Sequence, residues 1–306
     1  MFQYQMKKNL CNMKLYTFAF AALALSLAAC TNDNEVMDNG PVAAVINADI
    51  SDAGATRASG TTWDENDRIG LTGIGTQYDN VPYIMNGGTF KEDGEPIYFH
   101  TPEEVVFRAY YPYDESGKTL KATTDGEAQK NQPKIDFLYA TGATASTHNP
   151  TVNFTDGTKA GGKDCSFHHC MSQITLSFVA GDGVSFSAIQ PESYTLSGLV
   201  LTGSFDTTTG IAKTDDGAQA ANLDMPIGSQ LTSSVILFPQ TVTALPLYVK
   251  YNGERYKATL NIPEGALQAG NNYTYTVKVR NRGIEVSQAT IAAWNEIDLG
   301  EVGADL

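Results

Sequence analysis

Apolar and polar residues alternate with a period of two along most of the chain after residue 69. Between residues 171 and 179, for example, Ile174, Leu176 and Phe178 alternate with Thr175 and Ser177. This period predicts β-strands that bury one face and expose the other, as in antiparallel sheets. The clearest stretches of this kind are 105–111, 171–179, 245–251, 256–262 and 273–279.

Turn signals separate these stretches, and the strongest is Asn252-Gly253 between two apolar strands. Because Asn-Gly accepts the positive φ angles of a type I′ turn, it predicts a β-hairpin. No uninterrupted amphipathic stretch of helical length occurs in the sequence. Many short strands separated by turns favour an all-β protein built from antiparallel β-sandwiches.

A division into two domains is predicted near residue 182, where Gly181-Asp182-Gly183 follows a strong strand and begins a serine-rich stretch. The N-terminal β-sandwich domain then spans residues 58–182 and the C-terminal one residues 183–306. Each has about 125 residues, an ordinary size for a sandwich domain. A break near Gly161-Gly162 is the alternative.

The amino terminus has the pattern of a secretory signal. Three lysines precede an apolar run, 15–29, which has the length of a signal-peptide core and is short for a membrane-spanning helix. The run ends in Leu27-Ala28-Ala29-Cys30, which is typical of a lipobox. We therefore expect residues 1–29 to be removed and Cys30 to receive a diacylglycerol. An ordinary signal peptide with a chance cysteine is the alternative.

Charge narrows the choice of partners. The formal net charge is −14, and the predicted signal peptide contributes three lysines and no acid. Such an acidic chain repels nucleic acid and anionic lipid, so neither is an expected partner. The acids that follow Cys30 resemble the export signal that sends lipoproteins of certain Gram-negative anaerobes to the outer face of the outer membrane. A plain solvated tether is the alternative.

One cluster has the residue types of a metal site: Cys165, His168, His169 and Cys170. Its spacing lacks the paired arrangement of zinc modules, and on a strand His169 would point away from its two neighbours. We expect no metal there and no cofactor elsewhere, whereas a disulfide between the two cysteines stays open. With only 4 histidines and neither a Gly-x-Ser-x-Gly nor a His-Glu-x-x-His motif, the sequence does not predict an enzyme.

Seven blocks in order resemble the fimbrillin-like (Mfa-like) proteins, over about residues 55–300. The first block runs from Trp63 to Gly70, with the pattern Trp, polar residues, Asp and Ile-Gly. Any one block is weak, but their shared order is specific. The others are Phe107-Arg108-Ala109-Tyr110-Tyr111-Pro112, Asp136-Phe137-Leu138-Tyr139-Ala140, Phe167-His168-His169-Cys170-Met171-Ser172, Phe238-Pro239-Gln240, Ala269-Gly270-Asn271-Asn272-Tyr273-Thr274-Tyr275 and Ile291-Ala292-Ala293-Trp294.

The resemblance implies two transthyretin-like/Ig-like β-sandwich domains in tandem and a structural role in a cell-surface fimbria. It implies that a trypsin-like protease cuts after Arg57, so that Ala58 becomes the new amino terminus. Residues 30–57 would then be a propeptide, whose stretch 42–50 can form one strand of the first sheet. Its loss would leave a groove for a strand from another subunit. The candidate donor is the segment 284–306, although it could instead pack in its own domain.

The expected partners are other fimbrial subunits of the same family, outer-membrane lipid through Cys30 before cleavage, and a host or bacterial surface receptor. The expected location is the outer membrane surface and then the fimbria. A tip adhesin, an anchor subunit that keeps its lipid, and a carbohydrate-binding surface lipoprotein that does not polymerise are the alternatives. An envelope hydrolase is the least favoured class. Asp206-Thr207-Thr208 also fits an O-glycosylation pattern of these bacteria.

Overall fold

The computed structural model describes residues 40–51 and 62–294. The described residues form strands joined by turns and by short 3-10 helices at Ala128–Lys134, Thr158–Ala160 and Pro263–Gly265, which confirms the all-β prediction. The strands before residue 170 are β1 (Val42–Ala43), β2 (Val45–Ala48), β3 (Arg68–Gly73), β4 (Val81–Asn86), β5 (Thr89–Glu92), β6 (Tyr98–Phe99), β7 (Val105–Tyr111), β8 (Thr119–Thr123), β9 (Leu138–Ala145), β10 (Thr151–Phe154) and β11 (His168–His169).

Most of these strands form one eight-stranded sheet in the order β10-β2-β5-β4-β3-β7-β9-β11. Strand β7 shows how the sequence pattern produces it, because Phe107, Ala109 and Tyr111 are buried on one face as their alternation predicts. Strand β1 pairs with β6 outside this sheet. The sheet bends around a single core to which Phe107 of β7 and Phe154 of β10 both belong.

The second set of strands builds a sandwich of two facing sheets. Its strands, with the short ones that flank them, are β12 (Ser172–Ala180), β13 (Ser193–Leu199), β14 (Thr202–Asp206), β15 (Ile211–Thr214), β16 (Ala221–Pro226), β17 (Thr232–Leu237), β18 (Gln240–Thr241), β19 (Ala244–Tyr251), β20 (Glu254–Asn261), β21 (Ala266–Leu267), β22 (Asn271–Arg280), β23 (Gly283–Val286) and β24 (Thr290–Ala293). One sheet has the order β17-β12-β22-β23, with β24 also on β22, and the other has the order β16-β13-β19-β20.

The core of this sandwich lies between its two sheets. Ile174 of β12 and Tyr275 of β22 face Leu196 of β13 and Leu247 of β19, and all four are buried. The predicted hairpin joins β19 to β20, with φ of 51° at Asn252 and 79° at Gly253, the signs a type I′ turn requires. In contrast, β12 and β22 pair in parallel, which alternation cannot distinguish from antiparallel pairing.

The core changes from the first set of strands to the second between residues 167 and 174. Strand β12 precedes the predicted division near residue 182, yet it pairs on both sides with strands of the second sandwich. Pairing therefore assigns 172–180 to the second half. The exact limits of two separable domains stay a prediction.

A third core joins the two halves. Strand β8 pairs with β14, which also pairs with β15, so one small sheet contains strands from both halves. Phe137 and Phe205 stack beneath it with ring centroids 4.7 Å apart and 4° between their planes. Met171, Phe238 and Trp294 belong to the same buried cluster. The junction is therefore a packed apolar interface and not a flexible linker.

The 3-10 helix Ala128–Lys134 covers the outer edge of β17 through the carboxamide of Gln129. The Oε1 atom of Gln129 accepts the N–H of Ile236 at 3.0 Å, and its Nε2 atom donates to the carbonyl of the same residue at 2.7 Å. The side chain thus pairs with Ile236 as a neighbouring strand would. Gln132 adds a bond from its Nε2 atom to the carbonyl of Ser234 at 2.7 Å. An open strand edge is a site of unwanted pairing, and this contact closes it.

We predict that Gln129→Ala lowers the free energy of unfolding by about 2 kcal/mol, because it leaves a buried N–H and a buried carbonyl of Ile236 without partners. Urea unfolding measures the change. Lys130→Ala is the matched control, since Lys130 is exposed and forms a surface ion pair with Glu127; it should change the value by less than about 0.5 kcal/mol. Equal effects of the two substitutions would show that the edge contact is not stabilising.

Candidate functional site

The leading segment, residues 42–50, forms part of the first sheet and buries alternate side chains in its core. Ile46 and Ile50 are only 2% and 6% exposed, Ala44 and Ala48 are half-buried, and the residues between them face solvent. The sequence predicts one strand here, but the structure has two short ones. The segment changes partners at Ala44, from β6 to β10, and this interrupts the strand.

Backbone hydrogen bonds hold the leading segment on both sides. Strand β2 runs parallel to β10 over four residue pairs, from Val45 opposite Thr151 to Ala48 opposite Phe154. On its other side only Ile46 pairs with Phe90 of β5. A cavity of about 320 Å³ lies along β2, lined in part by Met85 and Phe90. The segment is therefore firmly bonded along one edge and loosely fitted along the other.

Trp63 holds the leading segment in the first sheet. Its indole Nε1 donates to the carbonyl of Ala48 at 2.8 Å. Its ring meets Phe90, Tyr111 and Phe167 edge-to-face, with centroids 5.2, 5.5 and 5.0 Å away. The first sequence block thus supplies a side chain that recognises the backbone of the leading segment, a role that the sequence pattern alone did not reveal.

Asp67, in the same sequence block, is hydrogen-bonded to Tyr111, one of the rings that contact Trp63. Its carboxylate accepts the hydroxyl of Tyr111 at 2.9 Å and the N–H of Asp64 at 2.8 Å. Burial raises the pKa of Asp67 above its usual value, although these two hydrogen bonds oppose the shift. Asp67 therefore positions Tyr111 and the turn that precedes β3.

The predicted processing residues fall outside the described residues. These are Cys30, Arg57 and Ala58. In sequence, Arg57 lies between the leading segment, which ends at Ile50, and Trp63, which binds that segment. A cut there would separate the segment covalently from the sheet that holds it. The apolar run 15–29 is also outside the description, and among the described residues no helix has the length and hydropathy to cross a bilayer.

The carboxyl-terminal segment packs in its own domain as far as the structure describes it. Strands β23 and β24 pair antiparallel with β22. Trp294 is 5% exposed, its N–H donates to the carbonyl of Gly270, and its ring stacks on His169 with centroids 4.2 Å apart. Residues 284–294 of the candidate donor therefore occupy their own sheet, and residues 295–306 lie outside the description.

The four residues of the Cys-x2-His-His-Cys cluster point in different directions. The Nδ1 atom of His169 lies 2.8 Å from a carboxylate oxygen of buried Asp136, whereas His168 lies 3.2 Å from Asp164 at the surface. Cys165 belongs to the first core and Cys170 to the junction core. Both are free thiols in the structure, so the disulfide that the sequence left open is not formed. Burial raises the pKa of both thiols.

The O-glycosylation pattern is mostly inaccessible in the folded chain. Thr207 is buried, and its hydroxyl donates to the carbonyl of Gly117 at 3.0 Å. Thr208 is exposed.

We predict that Trp63→Phe loosens the leading segment, because Phe keeps the ring contacts but cannot donate to the carbonyl of Ala48. The loss of this partly buried hydrogen bond should cost about 0.5–1.5 kcal/mol. Amide hydrogen exchange should accelerate within residues 44–51 more than in strands β19 and β20. Trp294→Phe is the control, since Trp294 does not touch this segment. Unchanged exchange in 44–51 would contradict the role given to Trp63.

Comparison with known proteins agrees with this architecture. A model of the fimbrillin-like family matches residues 56–294. Fim1C, a candidate fimbrium subunit of Bacteroides uniformis, is 28% identical over 252 residues, which cover 76% of this chain and 79% of that protein. A crystal structure of a candidate cell adhesion protein from Bacteroides ovatus is 29% identical with a TM-score of 0.70, covering 85% of this chain and 100% of that one.

A second crystal structure, of a candidate cell adhesion protein from Bacteroides uniformis, shares the fold. It is 21% identical with a TM-score of 0.65, and the match covers 83% of this chain and 98% of that one. The family match includes both tryptophans, Trp63 and Trp294, and excludes the leading segment. The resemblance drawn from the seven sequence blocks is confirmed, and the chain belongs to the fimbrillin-like family.

Proposed function

We propose that this protein is a structural subunit of a cell-surface fimbria that assembles by strand exchange. In this scheme the leading segment 42–50 fills a place in the first sheet, proteolysis after Arg57 frees it, and a strand from another subunit replaces it. One observation carries the proposal: alternate residues of 42–50 are buried in the sheet while Arg57 lies in the connection to it. The family membership and the names of the relatives support it.

The groove that the cleaved segment would leave in the first sheet should bind a new strand tightly. Burial of Ile46 and Ile50 contributes roughly 3–6 kcal/mol before ordering costs, at 1.5–3 kcal/mol for each side chain. Loss of the segment also frees backbone groups that now bind it, including the carbonyls of Pro150 and Phe154 and the N–H of Phe167. Unpaired groups along a sheet edge recruit an extended peptide by β-augmentation.

The route to the surface is part of the same proposal. Residues 1–29 act as a lipoprotein signal peptide, and Cys30 carries the lipid that holds the precursor on the outer membrane. Cleavage after Arg57 then leaves Ala58 as the new amino terminus and detaches the subunit from its lipid. The partners are other fimbrial subunits and, at the cell surface, a receptor that the fimbria binds.

We predict that trypsin treatment of the full chain produces a ladder of oligomers resistant to sodium dodecyl sulfate, and that Arg57→Ala abolishes the ladder. The reason is that an uncut leading segment keeps its own place filled. Mass spectrometry of the wild-type product should find an amino terminus at Ala58.

Arg57→Lys is the matched control, because trypsin cleaves after lysine as well. It should give the wild-type ladder. A trimmed protein that remains monomeric, with Arg57→Ala indistinguishable from wild type, would refute assembly by this route.

A second candidate function is carbohydrate binding, as in a tip adhesin, and one cavity favours it. The cavity holds about 280 Å³ and is lined by aromatic and polar residues, among them Tyr78, Tyr98, His100 and Glu103. The hydroxyl of Tyr78 bonds to both backbone groups of Tyr98, at 3.1 Å each, which holds the two residues in place. Tyr98 is 40% exposed and offers a ring face on which a sugar could stack.

If this candidate is right, Tyr98→Ala should reduce binding on a glycan array at least tenfold without changing thermal stability. Ile211→Ala is the control, since Ile211 is an exposed apolar residue of β15, outside this cavity. The absence of any glycan bound by the wild-type protein would remove the second candidate and leave the structural role.

A further inference from the structure

Strand β6 has a single strand partner in the part of the chain that the structure describes. This partner is β1, which lies outside the eight-stranded sheet. Ala43 of β1 lies opposite Tyr98 of β6. The next residue, Ala44, donates its N–H to the carbonyl of Ile97 at 2.8 Å. The strand pairing of β6 therefore comes entirely from β1 and the residue that follows it.

Two tyrosine hydroxyls bind the backbone of the same stretch. The hydroxyl of Tyr78 accepts the N–H of Tyr98 and donates to the carbonyl of the same residue, at 3.1 Å each. The hydroxyl of Tyr83 accepts the N–H of Ile97 at 3.2 Å. Each of these contacts must order a side chain as well as the backbone, which offsets part of its strength. We therefore expect the pairing with β1 to set the position of β6.

Strand β6 also forms part of the wall of the cavity of about 280 Å³ described above. Five consecutive residues, 97–101, line this cavity. The ring of Phe99 meets the ring of Phe107, another lining residue, edge-to-face with centroids 6.0 Å apart. A shift of β6 would therefore change the shape of the cavity directly.

The lining of the cavity favours a sugar without an acid group. It combines the rings of Tyr78 and Tyr98 with side chains that can hydrogen-bond to hydroxyls, such as Gln77 and Thr101. Glu103 is its one acidic residue, and no lysine or arginine is among the lining residues, all of which the structure describes. An acidic sugar would be repelled by this carboxylate, whereas a neutral sugar or an amino sugar would not.

We propose that β1 controls this cavity, which binds a neutral or amino sugar while β6 is paired with β1 and loses affinity for it when the pairing is broken. This rests on the second candidate of the proposed function and adds the class of sugar and the control of its site. By linkage, a sugar that prefers the paired form must in turn stabilise the pairing of β1 with β6.

A proline substitution tests this control. Ala44→Pro removes the N–H that bonds to the carbonyl of Ile97. Amide hydrogen exchange within residues 97–101 should accelerate about tenfold, which is the effect of losing one hydrogen bond at the upper end of the usual range. The affinity for the neutral or amino sugar that the wild-type protein binds best on a glycan array should fall by about the same factor.

Ala43→Pro is the matched control. Successive N–H groups of a strand point in opposite directions, so that of Ala43 points away from β6. Among the described residues no strand pairs with β1 on that side. Exchange within residues 97–101 and the sugar affinity should therefore stay within about twofold of the wild-type values. Equal losses from the two proline variants, or wild-type affinity in Ala44→Pro, would show that β1 does not control the cavity.

The reciprocal measurement uses the unsubstituted protein, so it does not depend on the folding of any variant. Saturation with the sugar should slow exchange at the N–H of Ala44 about as much as within residues 97–101, because both belong to the same pairing. Exchange in strands β19 and β20, which belong to the second sandwich, should not change.

The outcomes separate the control by β1 from the candidate function. If a neutral or amino sugar binds but Ala44 gains no protection, carbohydrate binding stands and the control by β1 is wrong. If an acidic sugar binds best, the class of sugar is wrong. If the wild-type protein binds no glycan of any class, the second candidate function fails and this inference fails with it.

Discussion

The architecture depends on backbone hydrogen bonds between strands, because a buried N–H or carbonyl without a partner is costly. The first sheet meets this need with a segment that comes from outside its main run of chain, namely β2, which lies between β10 and β5. Trp63 adds a side-chain donor to the same segment, and the buried isoleucines attach it to the core. The leading segment is therefore an integral strand of the first sheet.

The two halves are linked in a different manner. The junction is a packed core with the Phe137 and Phe205 stack at its centre and a small sheet that takes strands from both sides. Trp294 completes that core from the carboxyl-terminal side and stacks on His169, which is itself held by Asp136. The last described residue of the chain is thus part of the interface between both halves.

Much of this fold could be predicted from the sequence, because burial on one face produces a period of two. Strands β7, β19 and β22 and the Asn252-Gly253 turn follow from residues that are close in the chain. The parallel pairing of β12 with β22 could not be predicted, since alternation contains no information about strand direction. Thr175 was expected to face solvent, yet it is buried and its hydroxyl bonds to Asn272, because that face of the sheet is covered as well.

The candidate site was predictable only in part for the same reason. The apolar segment 42–50 is visible in sequence, whereas its partners Trp63 and β10 are brought to it by long-range folding. His169 belonged to a cluster with the residue types of a metal site, and only the structure shows that its partner is Asp136, far away in sequence.

The carboxamide of Gln129 has a consequence for how the second sandwich meets other chains. By pairing with Ile236 it occupies the backbone N–H and carbonyl that this residue would otherwise offer at the outer edge of β17. If the protein assembles by strand exchange as proposed, a strand from another subunit would have to displace this side chain before it could pair with Ile236.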